Sequence, residues 1–321
     1  MKMLVLLAAI LAVASVRATA DPEAQQLLNI AEQQANLLHN AKRPLVLDVD
    51  FSAQVSIAMN GHMTLRWESE DRWWRKIVMG EYQQITAHNG ETVSTVRNLR
   101  YTPLRVRELI TLIQFAEDPS GLIAKKQKER RKYGADLACV RYEKEHFKSE
   151  PHDVCIEPSS HDILSDDWQE PPDEKRQKQF SDYVDFEGLR FPRQLRLQVN
   201  GSVVLSANVT SLVSQEFDES LLVAPKGANV RRECHGLKHA VAIKTPEPDI
   251  AGHGMLMGDT TVAITVLEDG SVGDVQLIGR ATQRMDDETL KTLKGWRFNP
   301  AMCGTEPVIS DMEVIVSLRL Q

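Results

Sequence analysis

The chain has 321 residues, 42% hydrophobic and 26% charged, a length and composition that suit about two globular domains, each with its own core. Its 45 acidic residues outnumber 38 basic ones for a net charge of −7, which argues against the basic footprint of a nucleic-acid binder. No G-x-S-x-G elbow, H-E-x-x-H pair, phosphate-cradling glycine loop or spaced Cys/His nucleophile arrangement occurs, so the sequence predicts neither an enzyme nor a cofactor.

Lys2 precedes an apolar run from Met3 to Val16, and Ala18-Thr19-Ala20 offers a small-x-small cleavage site, so residues 1–20 read as an export signal and the mature protein as periplasmic. The alternative is an uncleaved membrane anchor, for which the run is short against the roughly 20 residues a span needs. Without residues 1–20, which hold two basic side chains and no acid, 36 basic residues face 45 acidic ones, a net charge of −9.

Residues 22–40 read as a helix through the apolar stripe Leu27, Leu28, Ala31, Ala35 and Leu38. From Leu45 the period changes to two: Phe51, Ala53, Val55, Ile57 and Met59 alternate with polar residues, Asn60-Gly61 predicts a hairpin turn, and Met63, Leu65 and Trp67 resume the alternation. Strands are predicted over 74–85 and 92–99, flanking Asn89-Gly90. Pro103 opens a helix over 104–116, whose Val106, Leu109, Ile110, Ile113 and Phe115 suit packing on a sheet. Strand signals return at 137–142, 180–186, 190–199 and 203–212, while 159–179 reads as a long polar surface loop. The basic run Lys125–Lys132 reads as a solvated hairpin tip or a surface for anionic groups.

These elements imply a domain over 21–220, a linker over 221–239 and a second domain over 240–321. In the last, Val262, Ile264 and Val266 alternate along one strand, Asp269-Gly270 turns the chain, and Val272, Val275 and Leu277 continue on the partner. Met285, Leu290, Leu293 and Trp296 form a helical stripe, and Met312–Leu320 alternates as a terminal strand. The order Asp269-Gly270-Ser271-Val272, a helix, Trp296-Arg297-Phe298-Asn299-Pro300-Ala301 and a final strand resembles the C-terminal domain of TonB-family energy transducers. Departures are the missing Pro-rich linker and the missing Tyr-Pro before the first strand, where Pro246 and Pro248 stand without a tyrosine.

The first domain resembles the LolA and LolB lipoprotein carriers, a curved, half-open antiparallel sheet over helices. The likeness is carried by the N-terminal helix, the hairpin ending in Trp67, the run Asp71-Arg72-Trp73-Trp74-Arg75, the Cys139/Cys155 pair, Tyr183–Phe186 and Phe191-Pro192-Arg193. The fold class expected is therefore α+β in both halves.

The TonB resemblance implies that the terminal strand, Val314, Ile315, Val316, Ser317, Leu318, Arg319 and Leu320, lends its backbone edge to a partner, an outer-membrane transporter segment in that family, or to a second copy of the chain. The alternative is a carrier whose first sheet shelters a lipid or other apolar ligand on Met59, Met63, Trp67, Trp73, Trp74 and Met79, against plain core packing of the same residues.

Four cysteines in an exported chain read as two disulfides, for which three connectivities exist. Cys139 and Cys155 lie on two strand-like pieces joined by a polar stretch, and Cys234 and Cys303 lie in the lead-in and last loop of the second domain, which favours 139–155 and 234–303. Metal binding by Cys234, His235 and His239 is a weaker alternative without a second ligand pair, and His253 between two glycines reads as a loop histidine.

Overall fold

A computed structural model describes residues 21–54, 58–99, 102–144, 151–170, 174–234, 236–249 and 258–318. The expected signal, Val55, Ile57, Pro171, Pro172, His235, His253, Arg319 and Leu320 lie outside the described residues.

Helix α1 (Pro22–Ala35) starts where the Asp21 carboxylate accepts the Glu23 and Ala24 N–H groups, with Pro22 in the first turn, and it buries Ala24, Leu28, Ala31, Glu32 and Ala35. Asn36 ends it and caps the short α2 (Leu37–Asn40), so the predicted single helix is two. A meander follows: β1 (Leu45–Gln54), β2 (Ala58–Ser69), β3 (Arg72–Met79), β4 (Tyr82–Asn89) and β5 (Thr92–Arg97). Helix α3 (Leu104–Ile113) then carries the chain across to β6 (Leu122–Lys132), from which β7 (Ala135–Lys144), β8 (His152–Ile156), β9 (Ile163–Glu170), β10 (Glu174–Phe186), β11 (Leu189–Val199) and β12 (Ser202–Ser214) work back until β12 pairs with β1. A short β13 (Asn229–Arg232) adds to β5. The result is a thirteen-stranded sheet, β13-β5-β4-β3-β2-β1-β12-β11-β10-β9-β8-β7-β6, in which all pairs are antiparallel.

One face of this sheet holds the main core. Leu28, Ala31, Val106, Leu109 and Leu112 of the helices meet Leu47, Val49, Phe51, Met63, Leu65, Ile77, Leu195 and Leu205 of the strands. Burial at roughly 25 cal/mol per Å² of apolar surface makes this stripe-on-sheet contact the main force holding helices to sheet.

Several expectations are corrected. Gly61 is not a turn: it sits inside β2, paired with Phe51, and a Cβ there would strike the Phe51 ring and the Val78 carbonyl. Glycine is needed for close approach, a demand that reads like a turn signal in sequence. The strand expected over 74–85 is split at Gly80 into β3 and β4. The polar loop expected over 159–179 is mostly strands β9 and β10, because its charges find partners: Asp166 accepts from His152 (2.9 Å) and Asp167 from Lys132 (2.7 Å). The basic hairpin tip is edge strand β6, and part of the expected linker 221–239 is β13.

The C-terminal part contains β14 (Val241–Lys244), β15 (Gly258–Val266), β16 (Val272–Gly279), α4 (Gln283–Leu293), β17 (Arg297–Asn299), β18 (Ala301–Cys303), β19 (Glu306–Val308) and β20 (Ser310–Leu318). Strands β16, β15 and β20 form a three-stranded antiparallel sheet, with β14–β17 and β18–β19 as satellite pairs that the sequence did not reveal. Thr282 caps α4 through the Met285 N–H, and buried Asp286 accepts from the Thr260 hydroxyl (3.0 Å) and the Ala281 N–H (3.1 Å), fastening the helix to β15. At the turn, Gly270 has φ of +77° and lies so close to Phe298 that a Cβ would meet its carbonyl. Cys139–Cys155 and Cys234–Cys303 are both bonded, as expected.

Candidate functional site

Strand β20 is an edge among the described residues: β15 pairs it on one side and no described strand pairs it on the other. Because side chains alternate, Met312, Val314 and Val316 turn inward, packing with Val262, Ile264, Val266, Leu293 and Phe298 beneath α4. Asp311, Glu313, Ile315 and Ser317 share the other face, opposite Thr265, Ala263, Thr261 and Asp259 of β15. Ile315 is 45% exposed, a β-branched residue left on a sheet surface. The expected partner edge is therefore assembled over Val314–Ser317, with the backbone of Leu318 still in the strand.

The near end of the same strand is tied to the first domain. Asp311 Oδ2 accepts from the Thr102 backbone N–H (3.2 Å) and pairs with Arg97 (3.4 Å), while Oδ1 accepts from Thr265 (2.7 Å). Nothing in the local sequence marks these residues, since they come together only when α3 and β5 meet the last strand.

The six residues proposed as an apolar ligand surface do not act as one group. Met63, Trp67 and Met79 are buried in the core, with Met59 and Trp73 packed against it. Trp74 lies on the opposite face, paired with Arg66 and Ala87. Trp67 also lines an open cleft of about 400 Å³ with Leu37, Leu38, Ile113, Phe115 and Phe191, and His39 and Glu70, in contact with each other, stand at the same opening. Of these, Leu38, Ile113 and Phe115 were legible only as helix-stripe residues.

Charges inside the first domain are unevenly satisfied. Glu32 of α1 is buried and accepts the Glu117 N–H (2.8 Å), and loss of water pushes its carboxyl up to about 8. Burial also raises the Tyr82 phenol to about 12. The tyrosine heads a polar chain on the core-side face, donating to Gln84 (2.5 Å), whose amide donates to Thr86 (2.9 Å). Cys234 is committed to its disulfide, and no group of three or more metal-ligating side chains occurs among the described residues.

Residues 248–319 match the family model described as Gram-negative bacterial TonB protein C-terminal. The chain carries a TonB C-terminal domain. Among solved structures, a LolA superfamily protein from Nitrosomonas europaea matches with 8% identity over 62% of this chain and 97% of its own, TM-score 0.42. A putative outer membrane lipoprotein-sorting protein domain from Vibrio parahaemolyticus matches with 10% identity over 62% and 97%, TM-score 0.46. The Pseudomonas aeruginosa MucA/MucB complex contributes a chain with 9% identity over 84% and 97%, TM-score 0.28. No curated protein matches. The TonB C-terminal domain thus follows a large open antiparallel sheet, the order the sequence predicted, and no described helix is long and apolar enough to cross a membrane.

Proposed function

We propose that this protein is a binding module of the bacterial cell envelope that captures an extended segment of a partner by strand addition to β20. The observation that carries this reading is the unpaired backbone edge of Val314–Ser317 in a domain matched by the TonB C-terminal model, with its inward side chains anchored under α4. Main-chain hydrogen bonds at such an edge supply affinity, and alternate side chains supply choice. On this reading the chain works in the periplasm after removal of residues 1–20, the partner is a segment of an outer-membrane transporter, and the role is support of transmembrane transport. A second copy presenting the same edge is the competing occupant. No catalysis is part of the proposal.

The test is titration of the full chain with an extended transporter-derived peptide. N–H groups of successive residues point to opposite sides of a strand, so Ile315→Pro or Val316→Pro, whichever N–H faces away from β15, should abolish capture, whereas Ile315→Val should bind nearly as wild type. Two folded proline variants with unchanged affinity would end the strand-addition reading.

The 400 Å³ cleft beside Trp67, Phe115 and Phe191 favours a second reading, carriage of a lipid or other apolar ligand by the first domain. Organic extraction of protein purified from its own compartment should then yield a stoichiometric apolar compound, and Trp67→Ala should lower the yield.

A further inference from the structure

The core-side face of the large sheet changes character at its β5 end. Cross-strand pairing puts Arg75, Thr86, Thr95 and Asn229 in one row and Gln84 and Arg97 in the next, all on that face. The C-terminal domain does not fill the space above them. It leaves a cavity of about 760 Å³ bounded by β4, β5, β13, α3 and the Thr265 and Ser310–Asp311 segments, within the range of small-ligand sites.

The charge around this cavity is unbalanced. Arg97, Arg107, Arg231 and His239 line it against one carboxylate, Asp311, which is already engaged by Thr102, Thr265 and Arg97. Arg107 Nε and Nη2 are both buried and without a hydrogen-bond partner, and the Ser310 hydroxyl is in the same condition. Burial holds the Glu313 carboxyl above its ordinary value, and the Arg176 and Arg107 charges oppose that rise. Nε and Nη2 form the side-on fork of a guanidinium, the edge that grips two oxygens of a carboxylate or phosphate at once. Leaving such donors buried and unmade is costly, and a turn of the Arg107 side chain into the cavity it lines would present both to an oxyanion. Arg75, in the same sheet face, also has a buried, unpartnered Nε, and desolvation lowers its guanidinium to about 10.

We propose that this interdomain cavity binds a small anion bearing a phosphate or carboxylate group, held in the fork of Arg107 and by Ser310, with Arg231 and His239 at the rim. Because β5, α3 and β20 all contribute, the ligand clamps the C-terminal domain onto the sheet and stabilises the whole chain by mass action.

The experiment is calorimetric titration of the full chain at low ionic strength with inorganic pyrophosphate, citrate and dihexanoyl phosphatidic acid below its micellar concentration, alongside thermal melts. Saturable binding with a raised melting temperature is expected for at least one probe. Binding of pyrophosphate or citrate marks a free anion as the source, and binding of the phosphatidic acid alone marks a lipid headgroup. Arg107→Gln should weaken binding by about tenfold or more, the worth of a charge-assisted hydrogen bond. Exposed Arg231→Gln should weaken it less and decides the matter if Arg107→Gln does not fold. Lys126→Gln with Lys128→Gln, on the exposed edge strand β6, should leave affinity unchanged. Absence of saturable binding by all three probes, unchanged affinity in folded Arg107→Gln, unchanged affinity in Arg231→Gln should Arg107→Gln fail to fold, or loss confined to the β6 variant overturns the site.

Discussion

Asp311, on the last strand, accepts the backbone N–H of Thr102, some two hundred positions earlier, at 3.2 Å, and so fastens the C-terminal sheet to the loop before α3. Its second oxygen holds the Thr265 hydroxyl, so one carboxylate spans both domains. Asp311→Ala strips partners from Thr102 and Thr265 together and removes the acid facing Arg97. The expected loss is about 1–3 kcal/mol in denaturant unfolding. Faster amide exchange at Thr102 than in wild type would be its local sign, and an unchanged exchange rate there would contradict the assignment.

Glu32 gives a pH dependence whose direction follows from its raised pKa. Its carboxyl titrates near 8 in the fold against an ordinary 4.5, so the fold favours the protonated form. Its contribution to stability is fully present below about 4.5 and is lost as pH rises through about 8, where the carboxylate must be carried without water beside Asp166 and Glu117, opposed by the Glu117 N–H and Lys178. Glu32→Gln keeps an acceptor for the Glu117 N–H and cannot ionise. It should stabilise the fold more at pH 8.5 than at pH 4.5, by an amount on the order of a few kcal/mol in denaturant unfolding at the alkaline end. Equal effects at both pH values would show that Glu32 is not the titrating group.

Much of this architecture was legible because it rests on local pattern. The alternations Phe51-Ala53, Met63-Leu65-Trp67 and Val262-Ile264-Val266 are strands, and the stripes through Leu28 and Leu109 are helices, because each periodicity serves a core on one side only. What could not be read depends on partners distant in sequence. Asp166 and Asp167 look like loop residues until His152 and Lys132 are beside them, and Gly61 looks like a turn until Phe51 lies across it. Strand β20 was legible for the same reason as the others, since Met312, Val314 and Val316 alternate along it and serve a core on one side. Arg97, Arg107 and Arg231 stand on different elements, and only the closure of the C-terminal domain over β5 brings them to one cavity.

Gly61 supplies a test of the close approach inside β2. Any Cβ there meets the Phe51 ring and the Val78 carbonyl, so Gly61→Ala should destabilise the fold by about 1–3 kcal/mol despite the better strand propensity of a residue with a side chain. Combining it with Phe51→Leu should recover part of that loss in a double-mutant cycle, because one of the two obstructions is flexible. Strict additivity of the two changes would place Phe51 out of contact with position 61.

The two disulfides should differ in how readily they open, because thiol exchange requires access to sulfur. Cys139 and Cys155 are 3% and 0% exposed, face to face on β7 and β8 and covered by Leu137. Cys234 and Cys303 are only half-buried, at the lead-in to the C-terminal domain and in its β18 strand. Mild reduction of the folded protein followed by alkylation and peptide mapping should label Cys234 and Cys303 first. Their bond closes the longer loop, with a sequence separation of 69 against 16, so by chain entropy its loss should lower stability by about 4 kcal/mol. A Cys234→Ser, Cys303→Ser double variant should therefore melt well below wild type while keeping the core-strand bond. Labelling of Cys139 and Cys155 ahead of the other pair would mean that β7 and β8 open to solvent more readily than the C-terminal loop does.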